Sequence, residues 1–149
     1  MKKTFYFLVI AFVVIQFFQI DKTNPTVDES QDFIKMYNPS PEIAQQIKAS
    51  CYDCHSNESK YPWYSNVQPI AWFLKNHIDE GRHHLNFSEF GSYSAKRQSH
   101  KMEECEELIE KDEMPLWNYN LMHKEAVLDD AKKEMLVNYF KEMENKIKE

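Results

Sequence analysis

Glycine is nearly absent: Gly81 and Gly91 are the only two in 149 residues. That scarcity excludes the glycine-rich phosphate loops, and neither GxGxxG nor GxxxxGK[ST] occurs. It also argues against an all-β sandwich or barrel, whose many tight turns draw on glycine. Positive charge is short too. Lysine and arginine total 18 against 24 aspartates and glutamates, for a net charge of −6. Lys2 and Lys3 sit at the extreme N-terminus, so the remainder is more acidic still. Such a surface does not neutralise phosphates, and nucleic acid is not an expected partner. No stretch sustains a two-residue alternation, and there is no internal repeat or low-complexity tract. What the chain has in quantity is apolar and aromatic mass, 42% and 14% of its residues. That suffices for one packed domain, and the aromatic share suggests something large and flat to pack against.

The first twenty residues stand apart. Lys2 and Lys3 precede an uncharged, largely apolar run from Thr4 to Ile20, about 17 residues long. A positive start followed by an apolar stretch is the pattern of a secretory signal or a membrane anchor. The run is near the lower limit for a spanning helix. Its exit, Gln16-Phe17-Phe18-Gln19-Ile20, is bulky, with no small-residue cleavage site. The expectation is an uncleaved single-pass anchor over residues 1–20, with the lysines inside and the rest in the periplasm. The alternative is a secreted protein after signal cleavage. Residues 21–37 read as a tether, polar and aperiodic at first, with Asp32–Tyr37 able to lie on the domain as an extended arm. The domain proper is expected over 38–149.

Within it the periods are helical. Ser40 can cap a helix that has Pro41 at its first position and Ile43, Ala44 and Ile47 on one face. Ile70, Phe73, Leu74, His77 and Ile78 mark a second helix from about Gln68-Pro69 to His83, which Gly81 or the stretch after it is expected to end. A third runs over 95–112 with Met102, Cys105, Leu108 and Ile109 as its stripe. Asp129 caps a last helix carrying Met135, Leu136, Tyr139, Phe140 and Met143. The expected class is all-α, a small cytochrome-c-like helical domain behind an N-terminal hydrophobic helix, with loops over 56–66 and 113–124.

The chemistry concentrates at Cys51-Tyr52-Asp53-Cys54-His55. This is C-x-x-C-H, the attachment signature of c-type haem. Two thiols three residues apart at a helix start reach the two vinyl groups of one porphyrin, and the following histidine supplies an imidazole to the iron. A redox dithiol would want a βαβ neighbourhood, which the sequence lacks. A zinc site would want a second ligand pair, and only Cys105 and the adjacent His83-His84 remain. A Cys51–Cys54 disulfide stays open in an oxidising compartment.

The motif is followed in order by Tyr61-Pro62-Trp63-Tyr64, Val67-Gln68-Pro69-Ile70-Ala71-Trp72, His77-Ile78-Asp79-Glu80-Gly81-Arg82, Leu85-Asn86-Phe87-Ser88 and Glu113-Met114-Pro115-Leu116. This ordered set resembles the bacterial haem-binding domain family, small cytochrome-c-like proteins with a single C-x-x-C-H that are common in Bacteroidetes. The resemblance covers roughly 38–145. It implies one covalent haem c per chain, held by Cys51 and Cys54 with His55 as proximal ligand, and an extracytoplasmic site. It also implies Met114 as the sixth ligand, since a methionine before a C-terminal helix has that place in cytochromes c. His77, His100, His123, Met122, the pair His83 and His84, and an open position compete with it.

Arg82 is a candidate partner for a haem propionate, against a plain helix-end arginine. Trp63, Tyr64, Trp72, Phe73 and Trp117 are candidate haem walls, and at least two are expected to touch it. Cys105 reads as a buried free thiol. Glu103-Glu104-Cys105-Glu106-Glu107 reads as a solvated acidic face or, less so, a docking patch for a basic redox partner. The expected function is one-electron transfer to redox partner proteins the sequence does not identify. The alternatives are a haem peroxidase or its associated subunit, and a haem-based small-ligand sensor. Both need a displaceable sixth ligand.

Overall fold

A computed structural model describes residues 2–149, and among these no strand forms. The helices are α1 (Lys2–Ile15), α2 (Phe33–Tyr37), α3 (Pro41–Ser50), α4 (Tyr52–His55), α5 (Ile70–His84), α6 (Ala95–Glu110), α7 (Trp117–Met122) and α8 (Asp130–Lys148). Short 3-10 turns cover Trp63–Asn66, Phe87–Ser92 and Lys124–Ala126. The caps act as the sequence implies. The Ser40 hydroxyl accepts from the Ile43 N–H at 3.4 Å, and the Asp129 carboxylate from Lys132 N–H at 2.9 Å. Each satisfies a donor that the first helical turn leaves free.

Helices α6 and α8 pair along their length and supply Met102, Leu136 and Phe140 to the core. Its centre is Phe33, fully buried, with the rings of Phe90, Tyr37, Phe87, Tyr139 and Phe140 at 5.0 to 6.2 Å. Edge and tilted contacts of this kind are the favourable ones for aromatic quadrupoles. Residues 33–37 are therefore a helix with its first side chain in the core, not an extended arm. Asp32 caps α2 and also accepts from the Tyr52 hydroxyl at 3.0 Å. Tyr52 in turn stacks on Phe87 at 5.5 Å. The residue between Cys51 and Asp53 thus ties the motif to the core.

The N-terminal helix is shorter than the expected anchor segment. No helix among the described residues is long and apolar enough to cross a membrane. α1 has 14 residues, about 21 Å at the helical rise, against a hydrocarbon core of about 30 Å. It stops because residues 16–19 turn to bond the domain. Gln16 exchanges bonds with the Gln68 backbone, accepting at 2.9 Å and donating at 3.1 Å. Gln68 Nε2 and Trp72 Nε1 both donate to the Phe18 carbonyl at 3.0 Å. The side chains of α1 itself are almost all exposed.

Arg82 is a second departure. Its guanidinium is half-buried and bonded within the chain. Its Nε donates to the Ser56 carbonyl at 2.7 Å, and its Nη2 to Asn24 Oδ1 and the Ser59 hydroxyl at 2.8 Å. One guanidinium fastens the segment after α4 and the N-terminal strap to α5. We expect Arg82→Ala to cost about 2 kcal/mol, the scale of buried hydrogen bonds to a charged donor. Arg82→Lys should recover less than half, because lysine lacks the fork. Urea unfolding of both variants checks this.

Candidate functional site

The motif sits where α3 gives way to α4. Cys51 ends α3, its N–H bonded to the Ile47 carbonyl at 2.9 Å. Its own carbonyl accepts from His55 N–H at 2.8 Å, which closes the single turn of α4. Cys51 and Cys54 are one turn apart, and all three cysteines are free. Burial pushes the Cys51 thiol up to about 12 and the Cys54 thiol up to about 11. Both stay protonated at neutral pH, so neither is poised as the attacking thiolate of a dithiol exchanger. No group of three or more His, Cys, Asp or Glu among the described residues is placed to hold a metal ion by itself.

His55 is held from one side. Its Nδ1 lies 3.1 Å from the Leu85 carbonyl. A carbonyl only accepts, so Nδ1 carries the proton and Nε2 keeps its lone pair for a metal. Burial holds the imidazole below its ordinary pKa, against the opposing pull of the Leu85 and Gly81 carbonyls. The ring is therefore neutral and ready to ligate without first losing a proton.

A cavity of about 490 Å³ opens beside Cys54, inside the roughly 300–1,000 Å³ range of cofactor sites. Ile70, Phe73, Leu74 and His77 of α5 form one wall. Leu116, Tyr119 and Met122 form another, and Trp63 and Tyr64 a third. The apolar stripe expected to bury α5 in the core thus divides. Ile78 is buried, while Phe73 stays 69% exposed and faces the cavity. α5 ends at His84, in the stretch after Gly81 as expected, and Gly81 itself lies where the helix crosses the backbone of Cys54. Of the five aromatics proposed as walls, Trp63, Tyr64 and Phe73 line the cavity. Trp72 bonds Phe18 instead, and Trp117 is 75% exposed.

The candidate ligands separate. His77 and Met122 line the cavity. Met114 does not: it is partly buried in the loop after α6, its N–H bonded to the Leu108 carbonyl at 3.2 Å. His83, His84 and His100 are exposed, and His100 pairs with Glu103 and Glu104. His123 has both nitrogens engaged, Nε2 with the Tyr64 hydroxyl at 2.8 Å and Nδ1 with Glu125 at 3.3 Å. The acidic run of α6 is largely paired within the chain, Glu104 with Lys101, Glu106 with Lys141 and Glu107 with Lys111.

Sequence reasoning missed the polar part of the wall. Tyr119 donates to Asp53 Oδ2 at 2.7 Å, with the Ala49 carbonyl 3.2 Å from the same hydroxyl, and its ring stacks on His123 at 4.1 Å. The i, i+4 spacing of Tyr119 and His123 is the one signal that could have paired them. Burial and the bond to Asp53 hold Tyr119 well above the ordinary phenol range, and burial raises Tyr64.

These residues fit a haem. Two unpaired thiols one turn apart, an imidazole and an apolar, aromatic-walled cavity are donors and surroundings that suit a haem, although of the motif only Cys54 lines the cavity while Cys51 and His55 lie behind it. The model of a protein family described as a haem-binding domain matches residues 10–142. No curated protein and no solved structure matches the chain.

Proposed function

The chain belongs to the haem-binding domain family, and from that premise we propose that it carries one haem c and passes single electrons on the outer side of the cytoplasmic membrane. The observation that carries this reading is the conjunction of the free Cys51–Cys54 pair, the His55 tautomer set by Leu85, and the apolar cavity at Cys54. Bound haem would supply a one-electron iron couple. The chain's own contribution is binding, orientation and dielectric. Cys51 and Cys54 would fix the cofactor by thioethers, which prevents its loss outside the cell. The Leu85 carbonyl orients the His55 ring and raises its basicity. Phe73, Leu74, Trp63 and Leu116 would offer the cofactor an apolar wall. Met114 is the sixth ligand implied by the family pattern.

The location rests on Lys2 and Lys3 ahead of an exposed apolar α1, with residues 16–19 bonded to the domain. We read the N-terminal segment as retained and seated in the membrane. The intact mass of protein recovered from membranes, with or without residues 1–20, decides between retention and cleavage. Redox partners on this reading are other one-electron proteins.

The test is the absorption spectrum of the full chain, produced with haem maturation factors, in both oxidation states. A c-type, low-spin spectrum and a haemochrome with two thioether links are expected. Cys51→Ala/Cys54→Ala should lose all haem that survives acid–acetone extraction. Absence of haem in the parent chain despite working maturation would overturn the reading. His77 on the cavity wall favours a second reading, a peroxidase or ligand sensor with an open sixth position, which predicts a high-spin spectrum instead.

A further inference from the structure

Beyond residues 2–18, the most exposed large apolar side chains among the described residues are Trp63, Ile70, Phe73, Trp117, Leu121 and Met122, each half exposed or more. Four of them line the cavity: Trp63, Ile70, Phe73 and Met122. The other two stand beside it. Trp117 and Leu121 lie one turn apart on α7, the helix that also supplies Asn118, Tyr119 and Met122 to the cavity wall. They are 75% and 58% exposed and form no part of that wall, so a cofactor inside the cavity leaves them uncovered. An exposed apolar patch of this kind marks an interaction surface. No lysine, arginine, aspartate or glutamate lines the cavity. All three tryptophans of the chain, Trp63, Trp72 and Trp117, are exposed. Tryptophan, a large apolar ring with one N–H, is the side chain that gathers at membrane–water interfaces.

The N-terminal segment meets the domain at this same opening. Gln68 directly precedes Pro69 and Ile70 of the cavity wall, and its backbone bonds Gln16 in both directions. The fully buried Gln68 side chain and the Trp72 ring both hold the Phe18 carbonyl. Farther along, Asn24 donates to the Ser59 carbonyl at 2.9 Å, and Asn57 donates to the Thr26 carbonyl at 3.1 Å. Residues 16–26 are therefore a strap bonded to the domain at several points, not a loose tether. A flexible linker lets a domain tumble, whereas a bonded strap passes the orientation of α1 on to the domain. α1 has exposed apolar side chains all around, and no charge falls between Lys3 and Asp21. Phe17 and Phe18 continue its apolar surface up to the bonds with Gln68 and Trp72.

We propose that a lipid bilayer covers this face: with α1 seated in the membrane, the strap holds the domain so that the cavity mouth, with Trp63, Trp72, Trp117 and Leu121 around it, lies against the interface. The charge distribution fits that orientation. The chain carries a net charge of −6, and an acidic face turned to an anionic bilayer is repelled. The cavity wall has no acidic residue, and the acidic run of α6 sits on a helix that contributes nothing to it. Asp21 and Lys22 are the first charges after the apolar run, and Lys22 bonds the Asn66 side chain in the turn that begins with Trp63. That turn is thereby tied to the level where the chain leaves the apolar layer, the place of an aromatic belt. A protein partner would have to fit over the mouth beside a helix already in lipid, whereas one bilayer surface covers both.

This rests on the membrane seating of α1 proposed above, and the experiment separates the two. The full chain is reconstituted into vesicles of equal parts phosphatidylethanolamine and phosphatidylglycerol, with a trace of phospholipid bearing a diazirine on its acyl chain close to the glycerol. After irradiation, lipid-labelled positions are read by peptide mass spectrometry. The expected result is label in residues 4–18 and also in the peptides holding Trp63, Trp72 and Trp117–Leu121, with none in α6 or α8. Trp117→Ser/Leu121→Ser changes two exposed side chains and should lower the α7 label several-fold, with residues 4–18 labelled as before. Gln16→Ala/Trp72→Phe removes both Gln16 bonds and the Trp72 bond to the strap, and should lower the label at Trp63 and on α7 several-fold while α1 keeps its own. Label confined to residues 4–18 in the parent chain overturns the orientation and leaves the seated helix intact. Label nowhere overturns both and makes a protein partner the occupant of the rim. Rim label unchanged in Gln16→Ala/Trp72→Phe overturns the strap as the orienting element. Trp117 and Leu121 lie outside the cavity wall, so their label reads the same with or without haem, and failure of the haem reading leaves this test standing.

Discussion

Gly81→Ala is expected to destabilise the haem-free chain by about 2 kcal/mol and to cut the fraction of chains with attached haem. The sign is what makes the prediction sharp. Gly81 lies inside α5, and at an open helix position alanine in place of glycine stabilises by about 1 kcal/mol. Here the added Cβ would stand 2.6 Å from the Cys54 carbonyl oxygen and 3.1 Å from its carbon. Both are backbone atoms, so no rotamer can yield. Either α5 moves away from α4 or α4 is pushed out of its turn. Each response moves Cys54 relative to the cavity, whose α5 wall is on the same helix. Each also strains the bond from His55 to Leu85, which itself hangs on the Gly81 carbonyl through its N–H at 2.9 Å. Asn76→Ala, exposed on the same helix, is the control and should change neither quantity. Urea unfolding gives the first number and haemochrome absorbance per chain the second. A stabilised Gly81→Ala with full haem content would show that the close crossing does not constrain the site.

The same position shows what the sequence could and could not reveal. Gly81 before a run of basic residues reads as lying at or just before a helix end, and α5 does end three residues on. Its actual role is a tertiary contact with a residue 27 positions earlier, which no local pattern encodes. Phe33 is similar: it reads as part of an extended arm able to lie on the domain, yet it sits in a helix with five other rings around it. Where a local rule and the tertiary need coincide, sequence reading was sufficient. Ser40 with Pro41, Asp129, and the stripes of α6 and α8 are such cases. The site divides along the same line. Cys51, Cys54 and His55 are legible because their spacing is the chemistry. Asp53 and Tyr64 are far in sequence from Tyr119 and His123, and they meet only because α7 folds over the motif. The stripe of α5 was visible, but its partner was not, since a helix face turned to a cofactor and one turned to a core have the same period.

The largest spectroscopic effect expected among single substitutions outside the attachment motif is that of Met114→Ala. If its thioether completes the iron's coordination, its removal should abolish the long-wavelength charge-transfer band of the oxidised state. It should also lower the potential, by on the order of a tenth of the roughly 0.8 V that axial ligands span. A thioether favours ferrous iron because it is soft and neutral, and water or hydroxide in its place does not. The competing donors already face the cavity. Met122→Ala and His77→Ala remove them one at a time. Met114 lies in the loop that Glu113 and Met114 N–H groups pin to the Leu108 carbonyl at 2.9 and 3.2 Å. Two residues on, Leu116 is part of the cavity wall. The three variants therefore discriminate by chemistry as well as by position. Loss of the band in Met114→Ala alone requires that loop to close over the cavity when the cofactor is present. Loss in Met122→Ala alone assigns the same thioether chemistry to α7 without any loop movement. A parent spectrum with no thioether band, altered by His77→Ala, makes the site bis-histidine. Its potential would then be lower from the outset, and Met114 would be a loop residue with no part in coordination.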